Sequence, residues 1–175
     1  SANKKKKVTV HYENQVTEKK GEKMSDPIIE ASETGWIAAH REQYLSDPQS
    51  GHMWDSAPAG GKGPIPTLLL TTVGRKSGKT SIMPLIYGEH DGSHVVIASK
   101  GGDPKHPGWY HNLMAQDEVT VQVIDDQFQA ECRIAEGAER AKIWAELAEL
   151  YPPYTDYAEK AGDRQIPVVI LERIS

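Results

Sequence analysis

The 175-residue chain has one cysteine and one phenylalanine. A lone Cys132 excludes an internal disulfide and a cysteine-rich zinc site, and it fits a reducing cytoplasm. No run of about 18 apolar residues is present, so no transmembrane helix is expected, and no signal-peptide core is visible. The sequence has no GxSxG elbow and no HExxH helix. His90 and His94 straddle Asp91-Gly92, which reads as a turn. The two rings therefore share no helix face, and no metal site is assigned to them. Cys132 stands in a strand-like stretch and is read as structural rather than nucleophilic. Positive charge is scarce outside residues 1–23. That segment carries seven lysines against three glutamates, or +4, which leaves −9 on the remainder of a chain of net charge −5. An acidic body is a poor general binder of nucleic acid. If the chain is an enzyme, a cofactor must bring the hard chemistry.

Residues 1–23 read as a lysine-rich extension or appended arm, because Met24 could be a translational start. A solvated tail is the favoured reading. The alternatives are a short edge strand through Val8, Val10 and Tyr12, or a peripheral contact with anionic lipid at the inner face of a membrane. Residues 24–175 are expected to form one domain opening on a helix. Asp26-Pro27 supplies a cap and a first-turn proline. Trp36, Ile37, His40, Tyr44 and Leu45 form a stripe for packing. Asp47 to Pro66 is rich in Gly and Pro and reads as a long loop.

The chain is organised around Thr71–Tyr87, TTVGRKSGKTSIMPLIY. Leu68–Val73 and Ile82–Tyr87 read as strands, with Gly74, Ser77 and Gly78 permitting a sharp reversal between them. Arg75, Lys76 and Lys79 make the reversal basic, which suits either an anion or plain solvation. It is not a Walker A loop. Gly74 and Gly78 are separated by three residues rather than four, and Ser81-Ile82-Met83-Pro84 cannot open a helix.

Farther on, Asp91-Gly92 predicts a hairpin turn before a strand at His94–Ser99. Lys100–Lys105 is a second, mostly basic glycine loop. Pro107 opens a helix over Gly108–Gln116, which contains His111; His106 just precedes it, and both histidines are read as surface or packing residues. Strands are expected at Val119–Ile124, Phe128–Ile134 and Val168–Ile174, with a helix at Gly137–Leu150 that Pro152-Pro153 stops. This order predicts an α+β domain on a barrel or strongly coiled antiparallel sheet. Tyr151, Tyr154 and Tyr157 recur every third residue. They serve either packing at a helix end or phenolic hydrogen bonding to a substrate.

Taken in order, TTVGRKSGKT, Met83-Pro84-Leu85, Ala98-Ser99-Lys100-Gly101-Gly102, His106–Leu113 and Asp163–Val168 resemble the deazaflavin (F420)-dependent nitroreductase family of actinobacteria. The resemblance covers roughly residues 66–174 and implies a split β-barrel of the FMN-binding type. It implies coenzyme F420, with the anionic tail on Arg75, Lys76, Ser77 and Lys79. Family members often carry another basic residue where this chain has Thr80-Ser81; Lys79 is the nearby substitute. The resemblance places Met83, Pro84, Leu85, Ala98, Ser99, Lys100, Gly101, Gly102 and Trp109 beside the deazaflavin. It places Tyr151, Tyr154 and Tyr157 on the substrate side as candidate catalytic phenols. The implied reaction is hydride transfer from the reduced deazaflavin to a quinone or nitroaromatic. Two rivals stand beside it: an FMN-dependent reductase on the same barrel, and a carrier that binds the cofactor without turnover.

Overall fold

The computed structural model describes residues 35–174. The chain divides into two units, Ser1–Ala39 and His40–Ser175. Of the first, only residues 35–39 are described, the opening turn of helix α1 (Gly35–Ser46). The lysine arm and the expected helix start at Asp26-Pro27 lie outside the described residues. Of the predicted stripe, His40 and Tyr44 are buried.

The second unit is built on eight antiparallel strands: β1 (Met53–Asp55), β2 (Pro64–Val73), β3 (Thr80–Ile86), β4 (Gly88–His90), β5 (Ser93–Ile97), β6 (Val119–Val123), β7 (Asp126–Ile134) and β8 (Val168–Arg173). Their order is β1-β2-β6-β7-β8-β5-β4, with β3 on the other edge of β2. β3 comes back beside β5 without a ladder between them, so the sheet curls into a split barrel. Pro84 lacks an amide hydrogen, and among the described residues β3 pairs only with β2, so the proline falls on an edge strand there.

Strand alternation sends side chains to two cores. Leu68, Leu70, Val96, Val121, Val169 and Leu171 fill the barrel interior with Trp109, Leu113 and Phe128. Val95, Ile97, Val168 and Ile170 point the other way. There they meet Ile143 and Leu147 of helix α4 (Gly137–Leu150) and Tyr154 of helix α5 (Pro153–Lys160). Strands β5 and β8 are therefore apolar on both faces, and each fully buried Val, Leu or Ile contributes about 1.5–3 kcal/mol.

The loop expected over Asp47–Pro66 is instead structured. The short helix α2 (Pro48–His52) begins at Asp47, whose side chain accepts from the Ser50 amide at 3.4 Å. β1 then pairs with the start of β2, Met53 opposite Pro66 and Asp55 opposite Pro64. Ser56 closes this hairpin, its hydroxyl donating to Gly63 O at 2.7 Å. The glycines and prolines that read as a loop thus serve a tight closure. Gly61 has no room for a Cβ, which would sit 2.1 Å from Ser56 Oγ. The other expected elements form close to where the pattern placed them, and Gly137–Leu150 matches in both bounds; strand β4 (Gly88–His90) and the helix over Pro153–Lys160 were not expected from the pattern. The β6–β7 turn falls at Ile124-Asp125, one or two residues earlier than expected.

Candidate functional site

The basic reversal is a turn between β2 and β3, closed by Gly74 N–H to Lys79 O (2.7 Å) and Gly78 N–H to Gly74 O (2.9 Å). Gly78 has φ +73, a conformation glycine takes without strain. Arg75, Lys76, Ser77 and Lys79 are all exposed. The Ser77 hydroxyl is turned inward, accepting from the Lys79 amide at 3.1 Å. The turn is anchored by Asn112 of helix α3 (Gly108–Met114). Its Oδ1 accepts from both the backbone and the guanidinium of Arg75, each at 3.1 Å. Its amide in turn donates to Thr72 Oγ1 at 3.3 Å. Asn112 is 8% exposed, so the anchor is shielded from competing water.

Beside this turn lies the glycine loop after β5. Lys100, Gly101 and Gly102 have φ of 48°, 62° and 85°. Burial lowers the His111 pKa first, and the charges of Arg75, Lys100 and Lys76 lower it further. Cations of both loops are therefore near enough for their charge to act on the same imidazole. Lys100 Nζ stands 3.9 Å from Asp103. His106 rests 4.6 Å from the Tyr110 ring and 5.7 Å from that of His111.

The tyrosines form the other side. Gly102 seats the glycine loop against α5. A Cβ there would come within 2.9 Å of Tyr157 Cα and carbonyl oxygen. The hydroxyls of Tyr151 and Tyr157 are hydrogen-bonded at 3.0 Å. Tyr151 and Tyr154 meet edge to face at 5.0 Å, and both are 3% exposed. Burial raises both of their phenol pKa values, so each hydroxyl keeps its proton and can donate but not act as a base. Trp54, inside the stretch expected to be a loop, packs 6.3 Å from Tyr151 and stacks with His40 at 6.4 Å. Tyr157 is half-buried.

The residues picked from sequence thus separate by depth. Met83, Pro84, Leu85, Ser99 and Lys100 are half-buried, and Gly101 is exposed. Ala98 and Trp109 belong to the barrel interior, at 0% and 7% exposure. From sequence, Asn112 and Arg164 fall inside motifs with no role read for them, and His111 reads as a surface or packing residue. Asn112 and Arg164 act by hydrogen bonding distant backbone groups, a role no spacing in the sequence announces.

Among the described residues no cluster of His, Cys, Asp or Glu could hold a metal. No described helix is long and apolar enough to cross a membrane.

A family model described as F420H(2)-dependent quinone reductase matches residues 51–173. The chain is 35% identical over 126 residues to an F420H(2)-dependent quinone reductase of Mycobacterium tuberculosis, covering 70% of this chain and 79% of that protein. Its fold is similar to the solved structure of an F420-H2 dependent reductase, FDR-A. The TM-score is 0.55 and the identity 47%, over 61% of this chain and 93% of that one. A second solved structure, a domain-swapped dimer, is 39% identical with a TM-score of 0.57, over 77% of this chain and 96% of that one.

Proposed function

The chain belongs to the F420H(2)-dependent quinone reductase family, and from that premise we propose how its residues divide the work. As a member it is an oxidoreductase with coenzyme F420 as its cofactor and a quinone as its acceptor. The bound reduced deazaflavin supplies the hydride. The residues fit such a group. Arg75 and Lys76 on the exposed turn, with Lys100 on the next loop, supply positive charge that suits a phosphate and oligoglutamate tail. The observation carrying the reading is the basic turn itself, its cations exposed and its backbone anchored by Asn112. Exposed Lys79 adds a mobile charge at the rim. The half-buried faces of Met83, Pro84 and Leu85, with Ser99 to Gly102, offer apolar wall and close backbone to a flat ring.

The chain itself binds, orients and excludes water. Tyr157 is the phenol placed to hydrogen-bond an acceptor oxygen as negative charge develops there. Tyr151 orients it through their shared hydrogen bond. Tyr154 supports both rings from the core. A nitroaromatic is proposed as a second acceptor, because its nitro oxygens accept the same hydrogen bond.

The test is to mix the protein with reduced F420 and menadione and follow the return of oxidised-cofactor absorbance. A menadione-dependent rate is expected, and a smaller one with a nitroaromatic. Tight cofactor binding without any acceptor-dependent rate would instead mark a carrier.

A further inference from the structure

We infer that Arg164 is a positioning residue for this site: its guanidinium fixes the left-handed turn at Lys100–Gly102, and thereby the place of Lys100 between the basic turn and Tyr157. The inference rests on the cofactor reading above.

It starts from a backbone outlier. Three successive residues, Lys100, Gly101 and Gly102, hold positive φ. Two are glycines, but Lys100 has a Cβ and is strained there. Such conformations persist only where the surroundings over-determine them, and they gather at ligand clamps.

The surroundings that hold this turn are on two sides. On one side is Arg164, from the segment between α5 and β8. Its Nε–H donates to Asp103 O at 2.9 Å, and Nη2–H to Ser99 O at 2.7 Å. Nη1 donates to Ala98 O at 3.0 Å and to His106 Nδ1 at 2.9 Å. Ser99 and Asp103 bracket the turn, so one rigid plane spans its mouth. A lysine could not reproduce this, because its donors radiate from a single nitrogen. On the other side, a Cβ on Gly102 would lie 2.8 Å from Lys160 Cβ and 2.9 Å from the Tyr157 backbone. The turn is held between a guanidinium and the helix that carries the site's phenol. The same contacts fix the neighbouring imidazole. A guanidinium only donates, so His106 Nδ1 accepts and the ring proton sits on Nε2.

Cofactor fluorescence titration tests the inference on wild type, Arg164→Ala, Arg164→Lys and Arg140→Ala. Arg140 is the control, since its guanidinium donates to Ile166 O at 2.7 Å in the same segment and lies 5.1 Å over the Trp144 ring, away from the Lys100–Gly102 turn. Arg164→Ala should weaken F420 binding about tenfold or more. Arg164→Lys should do nearly as much, and millimolar guanidinium should recover part of the alanine variant's affinity. Arg140→Ala should lower the melting temperature and leave F420 affinity alone. Nitrogen-15 spectra give a readout free of cofactor: His106 should be the Nε2–H tautomer in wild type and a mixture in Arg164→Ala. Wild-type affinity in Arg164→Ala, a loss without guanidinium rescue, or an unchanged His106 spectrum overturns the inference. A wild-type protein that fails to bind F420 overturns the reading of the site itself, and this inference with it.

Discussion

The Gly74–Lys79 turn and the Tyr151–Tyr157 segment both neighbour the Lys100–Gly102 loop, but they are made from different material. The turn's side chains are exposed, and its shape comes from backbone hydrogen bonds and from Asn112. The tyrosines belong to the outer core, in contact with residues that hold α4 and α5 on the sheet. An exposed charge on the turn can therefore be changed at little cost to the fold, whereas a buried ring of the tyrosine segment cannot be removed. Exposed cations also feel salt, while buried rings do not.

The largest expected effect attacks the second region. Tyr154→Ala removes a ring at 3% exposure with edge-to-face neighbours and should cost about 3–5 kcal/mol of stability, read by urea or thermal unfolding. Tyr154→Phe should stay near wild type in turnover. A strong loss of kcat in that variant would give Tyr154 a chemical role and break the comparison.

Next comes the turn. Arg75→Ala should weaken F420 binding by about 1.5–3 kcal/mol, since a charge-assisted contact is lost, with melting within about 0.5 kcal/mol of wild type. Lys79→Ala should weaken it less, because lysine grips phosphate as a point charge. Wild-type affinity should fall with salt, and a variant lacking Arg75 and Lys76 should fall less steeply. Affinity that ignores salt, tail length and all three cations would mean the turn is merely solvated.

Tyr157→Phe sits between the two regions. It should lower kcat by about 1–1.5 kcal/mol, near tenfold, with little change in F420 affinity, as expected for a hydrogen bond made mainly in the transition state. Equal turnover would return Tyr157 to packing.

The smallest effect concerns pH. Burial lowers the pKa of His40 and His94 below 6.5. In His94 the Arg173 charge adds to burial, while Glu89 and Asp126 oppose it. The unfolded chain then takes up protons first, so stability is complete above about pH 6.5 and declines as pH falls toward the folded values. Melting temperatures from pH 7.5 down to 5 should show the decline, and His94→Gln should flatten it. A melting temperature that rises on acidification would reverse the sign.

Much of this was legible before the fold. The alternation in Val119, Val121 and Val123 and the helical composition of 137–150 are local signals, and both elements form. The ordered motifs located the family. The hairpin hidden in Asp47–Pro66 was not legible, because β1 exists only through pairing with Pro64–Pro66 and β-propensity is weak in a three-residue strand. Nor could spacing reveal that Tyr151 and Tyr154 are buried while Tyr157 is only half so. The Pro152-Pro153 break decides that by ending α4 and starting α5. Arg164 was quoted within a motif without a role, since its four acceptors lie on a loop far away in sequence.

One feature of the sheet also bears on how the protein is made. β8, the last strand in chain order, is not at an edge; it lies between β7 and β5, pairing Val169 with Ile134 and Val96. Until it emerges during synthesis, β5 and β7 have no common neighbour, and their apolar edges stay open. The nascent chain must wait with two unjoined halves, and pairings so distant in sequence slow folding. Val168 to Leu171, all fully buried, then close both cores at once. A ribosome-bound chain lacking β8 should bind chaperone and resist no protease, and release of that one strand should convert it cooperatively.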